Sequence, residues 1–198
     1  MRDVGSQLVG DNVILVGRGK RVSLSQDVDY NIKHSRVKAE EVNVERSFVI
    51  IKPDAIQRGL VGEIIGRIER KGLKLVGMKM IQLDDSVLNE HYSHLSDKPF
   101  FQEIKDFMMS APVIVTCWEG LDCVSAIRRV CGITKSREAE LGTIRGDLGM
   151  SIQANLIHAS DSHETAIDEI KRFFYKGEIY DYEMANFHFI YSKNELGK

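Results

Sequence analysis

The stretch "RSFVIIK", Arg46 to Lys52, constrains the fold more than any other part of the chain. Four apolar residues in succession, Phe48 to Ile51, read as a buried strand, and Pro53 ends it because proline has no N–H to offer a ladder. A buried strand needs elements to cover it, and the segments that follow supply them. "GLVGEIIGRIERKG" carries Leu60, Ile64, Ile65 and Ile68 at helical spacing and stops at Gly72. "LKLVGMKMIQL" alternates in the manner of a strand. "DDSVLNEHYSHL" and "PFFQEIKDFMMS" predict two helices, the first opening on acids and the second on Pro99. "PVIVTCWEG" predicts another strand, and "LDCVSAIRRVCG" a helix with a glycine stop. A turn-rich stretch, Ile133 to Gly149, leads into the strand "SIQANLIHAS", and "DSHETAIDEIKRFF" is a helix capped by Asp161 or Ser162. The order is that of a βαββαβ chain, an α+β ferredoxin-like arrangement with helices covering an antiparallel sheet.

That domain spans residues 45–182 and leaves a C-terminal tail, 183–198. Residues 1–44 form an N-terminal extension with one strand-like run, Asn12 to Gly17, and then a mixed polar stretch. At 198 residues, 43% hydrophobic and 28% charged, the chain has the composition of a soluble globular protein with room for one domain and an appendage. A net charge of -2 gives no broad positive field to attract nucleic acid or an anionic membrane. An anionic ligand therefore needs a few Lys and Arg side chains gathered in a pocket. The longest apolar run, Ala111 to Trp118, is too short to span a bilayer, and no signal-peptide core follows Met1. Cys117, Cys123 and Cys131 form no C-x-x-C pair. The expected setting is cytoplasmic, with neither a membrane nor nucleic acid as the main partner.

Phosphate chemistry is the first class to consider. "GRGK", Gly17 to Lys20, resembles part of a Walker loop, but Ile14 stands where the first glycine belongs and Arg21 follows the lysine. It reads as a basic turn. "NLIHASDS", Asn155 to Ser162, places His158 at the end of a strand, where side chains open into clefts. A nucleophilic imidazole needs one ring nitrogen exposed, the other held by an orienting group, and donors to receive the charge it attacks. Glu169 on the next helix can hold the ring, and Ser160 can bridge the two or donate to a phosphoryl oxygen. On its own, His158 also suits a packed, hydrogen-bonded core position. Lys52 at the end of the first strand, Arg145 in the glycine-flanked "TIRGDL", Arg128 and Thr134 add cations and a hydroxyl suited to phosphate oxygens. Each taken singly also suits a solvated surface.

Together the blocks "KPDAIQRGLVGEIIGRIERKGLKLVGMK", "EHYSHLSDKPFF", "TIRGDL" and "NLIHASDS" resemble nucleoside diphosphate kinase, in that family's order and spacing, over roughly Glu45 to Tyr182. The resemblance implies transfer of a γ-phosphoryl group from a nucleoside triphosphate to a diphosphate in two half-reactions through a phosphohistidine. It implies His158 as nucleophile through Nδ1, Glu169 orienting the ring and Ser160 close by. Lys52 and Asn155 would bind the sugar hydroxyls, with Lys52 also near the transferred phosphate. Arg128, Thr134 and Arg145 would hold phosphate oxygens, and Tyr92 would line the site. Phe100 would stack on the base with Ile152 across the slot, which admits every base because stacking offers each the same apolar face. Mg²⁺ would ride on the phosphates, with Asp161 reaching it at most through water. The partners implied are ATP and other nucleoside tri- and diphosphates, and further copies of the chain in a hexamer or tetramer.

The sequence departs from the family in three places. "TKSREAELGT", Thr134 to Thr143, lacks the prolines common in a loop the family places at subunit contacts. Ser192 stands where many members carry a glutamate able to reach a neighbouring subunit's nucleotide site, and the N-terminal extension has no counterpart. Other classes fit these motifs less well. A ferredoxin-like RNA-binding module would need aromatic-rich strands that are missing here. Metal binding at His91 and His94, three apart in "EHYSH", lacks a third ligand at motif spacing, so a solvated helix face is the simpler reading. A family member that has lost activity would be expected to have lost a catalytic side chain, and none is missing.

Overall fold

A computed structural model describes residues 7–9, 12–14 and 44–196. The chain divides into two units, Met1–Ser35 and Arg36–Lys198. In the first, β1 (Gln7–Val9) pairs antiparallel with β2 (Asn12–Ile14). The rest of the predicted extension, up to residue 43, lies outside the described residues.

The second unit is built on a four-stranded antiparallel sheet in the order β4-β5-β3-β6, from β3 (Val44–Ile51), β4 (Lys74–Ile81), β5 (Val113–Leu121) and β6 (Ile157–Ala159). Two split βαβ units interleave. Helices α1 (Pro53–Gln57) and α2 (Val61–Arg70) connect β3 to β4 across the position of β5. Helices α5 (Cys123–Cys131) and α6 (Ile144–Leu148) connect β5 to β6 across β3. Between β4 and β5 lie α3 (Asp85–His91) and α4 (Phe101–Met109). After β6 come α7 (His163–Phe173) and the short α8 (Phe187–Ile190). This is the ferredoxin-like topology.

The apolar run in β3 is continuous because both faces of the sheet are covered. Successive side chains of a strand point to opposite faces. Val49 and Ile51 join Ile64, Ile68, Trp118 and Ile127 under α2 and α5. Phe48 and Ile50 join Leu88, Tyr92, Met108, Ile170 and Phe173 under α3, α4 and α7.

Three expectations need correction. The turn-rich stretch before the last strand contains α6 and a 3-10 turn, Ser136–Glu138. Gly146 inside α6 is required by space, since a Cβ there would run into the Glu140 carbonyl. The strand expected over "SIQANLIHAS" shrinks to three residues, because Leu156 takes a left-handed φ of +73° that no ladder accommodates. Finally, Pro99 lies before α4, whose N-cap is Phe100. The cap of α7 is, of the two expected candidates, Ser162, which accepts from the Thr165 N–H at 3.1 Å.

Candidate active site

The site begins with the break at Leu156. Its N–H donates to Asp54 Oδ2 at 3.0 Å, and its carbonyl accepts from the Lys52 N–H at 2.9 Å. Arg145 clamps the same turn, donating from Nε to the Asn155 carbonyl (3.3 Å) and from Nη2 to the Ile157 carbonyl (2.6 Å). A non-glycine residue in this conformation costs of order 1–3 kcal/mol and persists only where its surroundings over-determine it. Here they do, and the result is a fixed start for β6. In that strand His158 pairs with Ile50 and shares its face, next to α3 and α7.

His158 Nε2 lies 2.7 Å from Glu169 Oε1. Glu169 is buried on α7, and its other oxygen accepts from the Ser160 hydroxyl at 2.5 Å. Ser160 in turn accepts from the Phe48 N–H of β3 at 3.2 Å. With a carboxylate accepting at Oε1, the imidazole carries its hydrogen on Nε2, and the Nδ1 lone pair has no partner among the described residues. The His158 side chain keeps 23% of its surface exposed. Buried Tyr92 stands edge-on to it at 6.2 Å between ring centroids.

A second network carries the cations. Lys52, at the C-terminal end of β3, donates from Nζ to Asn155 Oδ1 at 2.7 Å. Asn155 is buried and returns its amide hydrogens to the carbonyls of Ile152 (2.8 Å) and Thr134 (3.3 Å). Arg145 Nη1 donates to the Gly132 carbonyl at 2.6 Å, so three of its five N–H groups are spent on backbone. Burial pushes the Lys52 pKa down to about 8, assisted by the Arg145 charge and opposed by Asp54. Burial also lowers that of Arg145, with Arg128 adding repulsion. Arg128 is exposed, and its side chain makes no hydrogen bond or ion pair among the described residues.

The structure thus gathers His158, Glu169, Ser160 and Tyr92 in one cluster, and Lys52, Asn155, Arg145, Thr134 and Ile152 in another. Phe100 and Ile152 are exposed, 45% and 59%. Gln153 donates to the Glu103 carbonyl of α4 at 3.0 Å, holding the segment of Ile152 against the helix that Phe100 begins. Asp161 is exposed and outside both clusters.

Comparison with known proteins decides the family. The family model described as nucleoside diphosphate kinase matches residues 45–179. The chain belongs to the nucleoside diphosphate kinase family. A nucleoside diphosphate kinase of Parabacteroides distasonis is 55% identical over 153 residues, covering 77% of this chain and all of that one. One from Methanothermobacter thermautotrophicus is 49% identical over 150 residues, covering 76% and 100%. The solved nucleoside diphosphate kinase of Halobacterium salinarum, in complex with CDP, superposes with a TM-score of 0.73 at 42% identity over 74% of this chain and 98% of that one. The chain is accordingly a phosphotransferase that moves the γ-phosphate between nucleotides.

Against that family background, Ser192 is tied to its own chain, donating from N and Oγ to Glu195 Oε2 at 2.9 and 2.7 Å. Sequence reasoning missed Asp54, Gln153, Arg172 and above all His91. That histidine was expected on a solvated face; it is 6% exposed, and its ring centroid is 4.7 Å from that of His158. One signal was available, since His91 follows buried Leu88 at i+3 on the stripe of α3 that faces the core.

Proposed function

We propose that His158 is the phosphorylated nucleophile of a ping-pong nucleoside diphosphate kinase reaction. The observation that carries this reading is the uncommitted Nδ1 of His158, opposite an Nε2–H already held by Glu169. In the first half-reaction Nδ1 attacks the γ-phosphorus, a P–N bond forms, and the bond to the β–γ bridging oxygen breaks to release the diphosphate. Positive charge grows on the imidazole as it attacks, and the Glu169 carboxylate strengthens its hold on Nε2–H as that happens. Ser160 fixes the other Glu169 oxygen so that the carboxylate cannot rotate away. The second half-reaction reverses these steps onto another diphosphate.

Phosphoryl transfer spreads negative charge over the equatorial oxygens, and cations already in place stabilise it best. Lys52, Arg128 and the two remaining N–H groups of Arg145 take that role, with the Thr134 hydroxyl and Tyr92 beside them. Lys52 and Asn155, joined at 2.7 Å, also receive the sugar hydroxyls. Phe100 and Ile152 offer apolar surface to either face of a base, which fits broad base specificity. The chemistry of the site fits a magnesium ion that arrives on the nucleotide, keeps most of its water and neutralises phosphate charge. Exposed Asp161, next to Ser160 in the chain, would reach it at most through water. The three cysteines Cys117, Cys123 and Cys131 are free and buried, which supports a cytoplasmic setting. Exposed Met78 and Met80 on the edge strand β4, with Ile133, Leu141 and Met150, support assembly into a hexamer or tetramer.

Initial rates with ATP and a nucleoside diphosphate varied together test the mechanism. A covalent intermediate gives parallel double-reciprocal lines. Intersecting lines would show that both substrates bind at once and would overturn it.

A further inference from the structure

The mechanism above leaves one buried group without a task. His91 is packed between Tyr92, Phe173 and Phe48, and its Nε2 has no hydrogen-bond partner although it is sealed from solvent. A buried polar atom left unpaired is costly, because it has lost its bond to water without gaining another. Its Nδ1 faces the catalytic cluster, 3.7 Å from Glu169 Oε1 and 3.5 Å from Arg172 Nη1. Burial, reinforced by the neighbouring His158, Arg172, His94 and Lys52, pushes its pKa down to about 2, so the ring is neutral at physiological pH.

We propose that His91 Nδ1, His158 Nε2 and Glu169 Oε1 form a site for a divalent transition metal such as zinc, and that a metal bound there switches phosphotransfer off. These atoms lie within 4.8 Å of one another, and two imidazoles with one carboxylate are a donor set zinc accepts, a fourth position being left to water. Tetrahedral ligands at zinc distances stand about 3.3 Å apart. The observed separations are 2.7 Å for His158 to Glu169 and 3.7 Å for His91 to Glu169. The first must open and the second close, each by about half an ångström, and the two imidazoles, whose ligand atoms are within 4.8 Å, must draw together on the same ion. Glu169 is already fixed from behind by Ser160, as ligating carboxylates are. Arg172 gives up its long contact to His91 and keeps Glu90 at 2.7 Å. The donor set also separates this site from substrate magnesium, which favours oxygen ligands and retains its water.

The switch follows from the imidazole's own chemistry. A neutral ring has one N–H and one in-plane lone pair. In the active tautomer the hydrogen is on Nε2 and the lone pair on Nδ1. A metal on Nε2 takes that nitrogen's electron pair and drives the hydrogen to Nδ1, so no proton is gained or lost by the ring. Nδ1–H has no lone pair with which to form the P–N bond. The switching half of the inference rests on His158 being the nucleophile; the binding half does not.

The test uses the full chain, stripped with a chelator and desalted. Calorimetric titration with zinc chloride in nucleotide-free buffer should show one ion per chain, and cobalt(II) in its place should give the visible absorption of a tetrahedral nitrogen-ligated ion. His91→Phe, which keeps the aromatic packing and removes the ligand, should lose both. Protein loaded with zinc, desalted and then given γ-labelled ATP with magnesium should lose labelling in proportion to occupancy, and removing the zinc with a chelator, desalting and restoring magnesium should bring it back. Absence of stoichiometric zinc, a pale octahedral cobalt spectrum in the unaltered chain, or unchanged binding in His91→Phe overturns the site. The cobalt spectrum decides the matter even if His91→Phe does not fold. Full labelling of the zinc-loaded protein overturns the switch. Stripped protein that labels normally while binding no zinc sinks the metal site alone and leaves the nucleophile standing. Stripped protein that never labels with ATP and magnesium sinks the nucleophile and with it the switch.

Discussion

Lys52 sets a limit on the alkaline side of catalysis. Its ammonium is desolvated at the strand end and repelled by Arg145, and its pKa falls from 10.5 to about 8. If only the protonated form serves the phosphate, the competent fraction of free enzyme is about nine-tenths at pH 7 and about one-tenth at pH 9. The ratio kcat/KM, which reports the free enzyme, should therefore fall about tenfold across that interval. Lys52→Arg should abolish this limb, because a guanidinium stays charged throughout, although its geometry is expected to lower the plateau. Asp54→Asn should move the limb to lower pH, because the carboxylate favours the ammonium. Stability should respond with the opposite sign. The unfolded chain keeps this proton to about 10.5 while the folded chain yields it near 8, so the contribution of Lys52 to stability rises between those values. The assay is a set of pH profiles of kcat/KM at constant ionic strength for the three proteins. Coincident alkaline limbs in the unaltered protein and Lys52→Arg would refute the reasoning, because another group would then own that limb.

Three further outcomes follow from the geometry. Glu169→Gln removes a hydrogen bond to a ring that becomes charged, an interaction of about 1.5–3 kcal/mol, so kcat should fall about 10- to 150-fold with little change in KM. Phe100→Ala should act the other way, because stacking on a base is worth about 1–3 kcal/mol; nucleotide KM should rise about 5- to 150-fold with kcat largely kept. Asp54→Ala leaves the Leu156 N–H without its acceptor. It should destabilise the fold by about 1–3 kcal/mol, read as a lower midpoint in thermal denaturation.

What the sequence reveals here is what local pattern encodes. The uninterrupted apolar run of β3, the 3.6-residue stripe of α2 with its stop at Gly72, and the serine cap of α7 each depend on neighbours along the chain. Those elements and their order were enough to specify the antiparallel sheet. The family blocks then pointed to His158, Glu169 and Lys52, whose contacts span very different separations. What stayed hidden depends on distant partners. The positive φ of Leu156, which cuts the last strand short, is stabilised by Asp54 from more than a hundred positions away. The three bonds from Arg145 to backbone carbonyls are equally unreadable, because a guanidinium in a glycine-flanked loop looks like a free phosphate ligand. His91 was misjudged because a histidine beside glutamate and tyrosine reads as polar surface, whereas α3 rolls it under α7 against the nucleophile.

The most direct measurement is the chemical identity of the intermediate. The protein, incubated with γ-labelled ATP and magnesium and then separated from nucleotide, should carry an acid-labile, base-stable label in a peptide containing His158. That label should pass to added nucleoside diphosphate and should be missing in His158→Gln. A protein that transfers phosphate at full rate without ever holding it, or that holds it on a residue other than His158, would contradict the proposed mechanism.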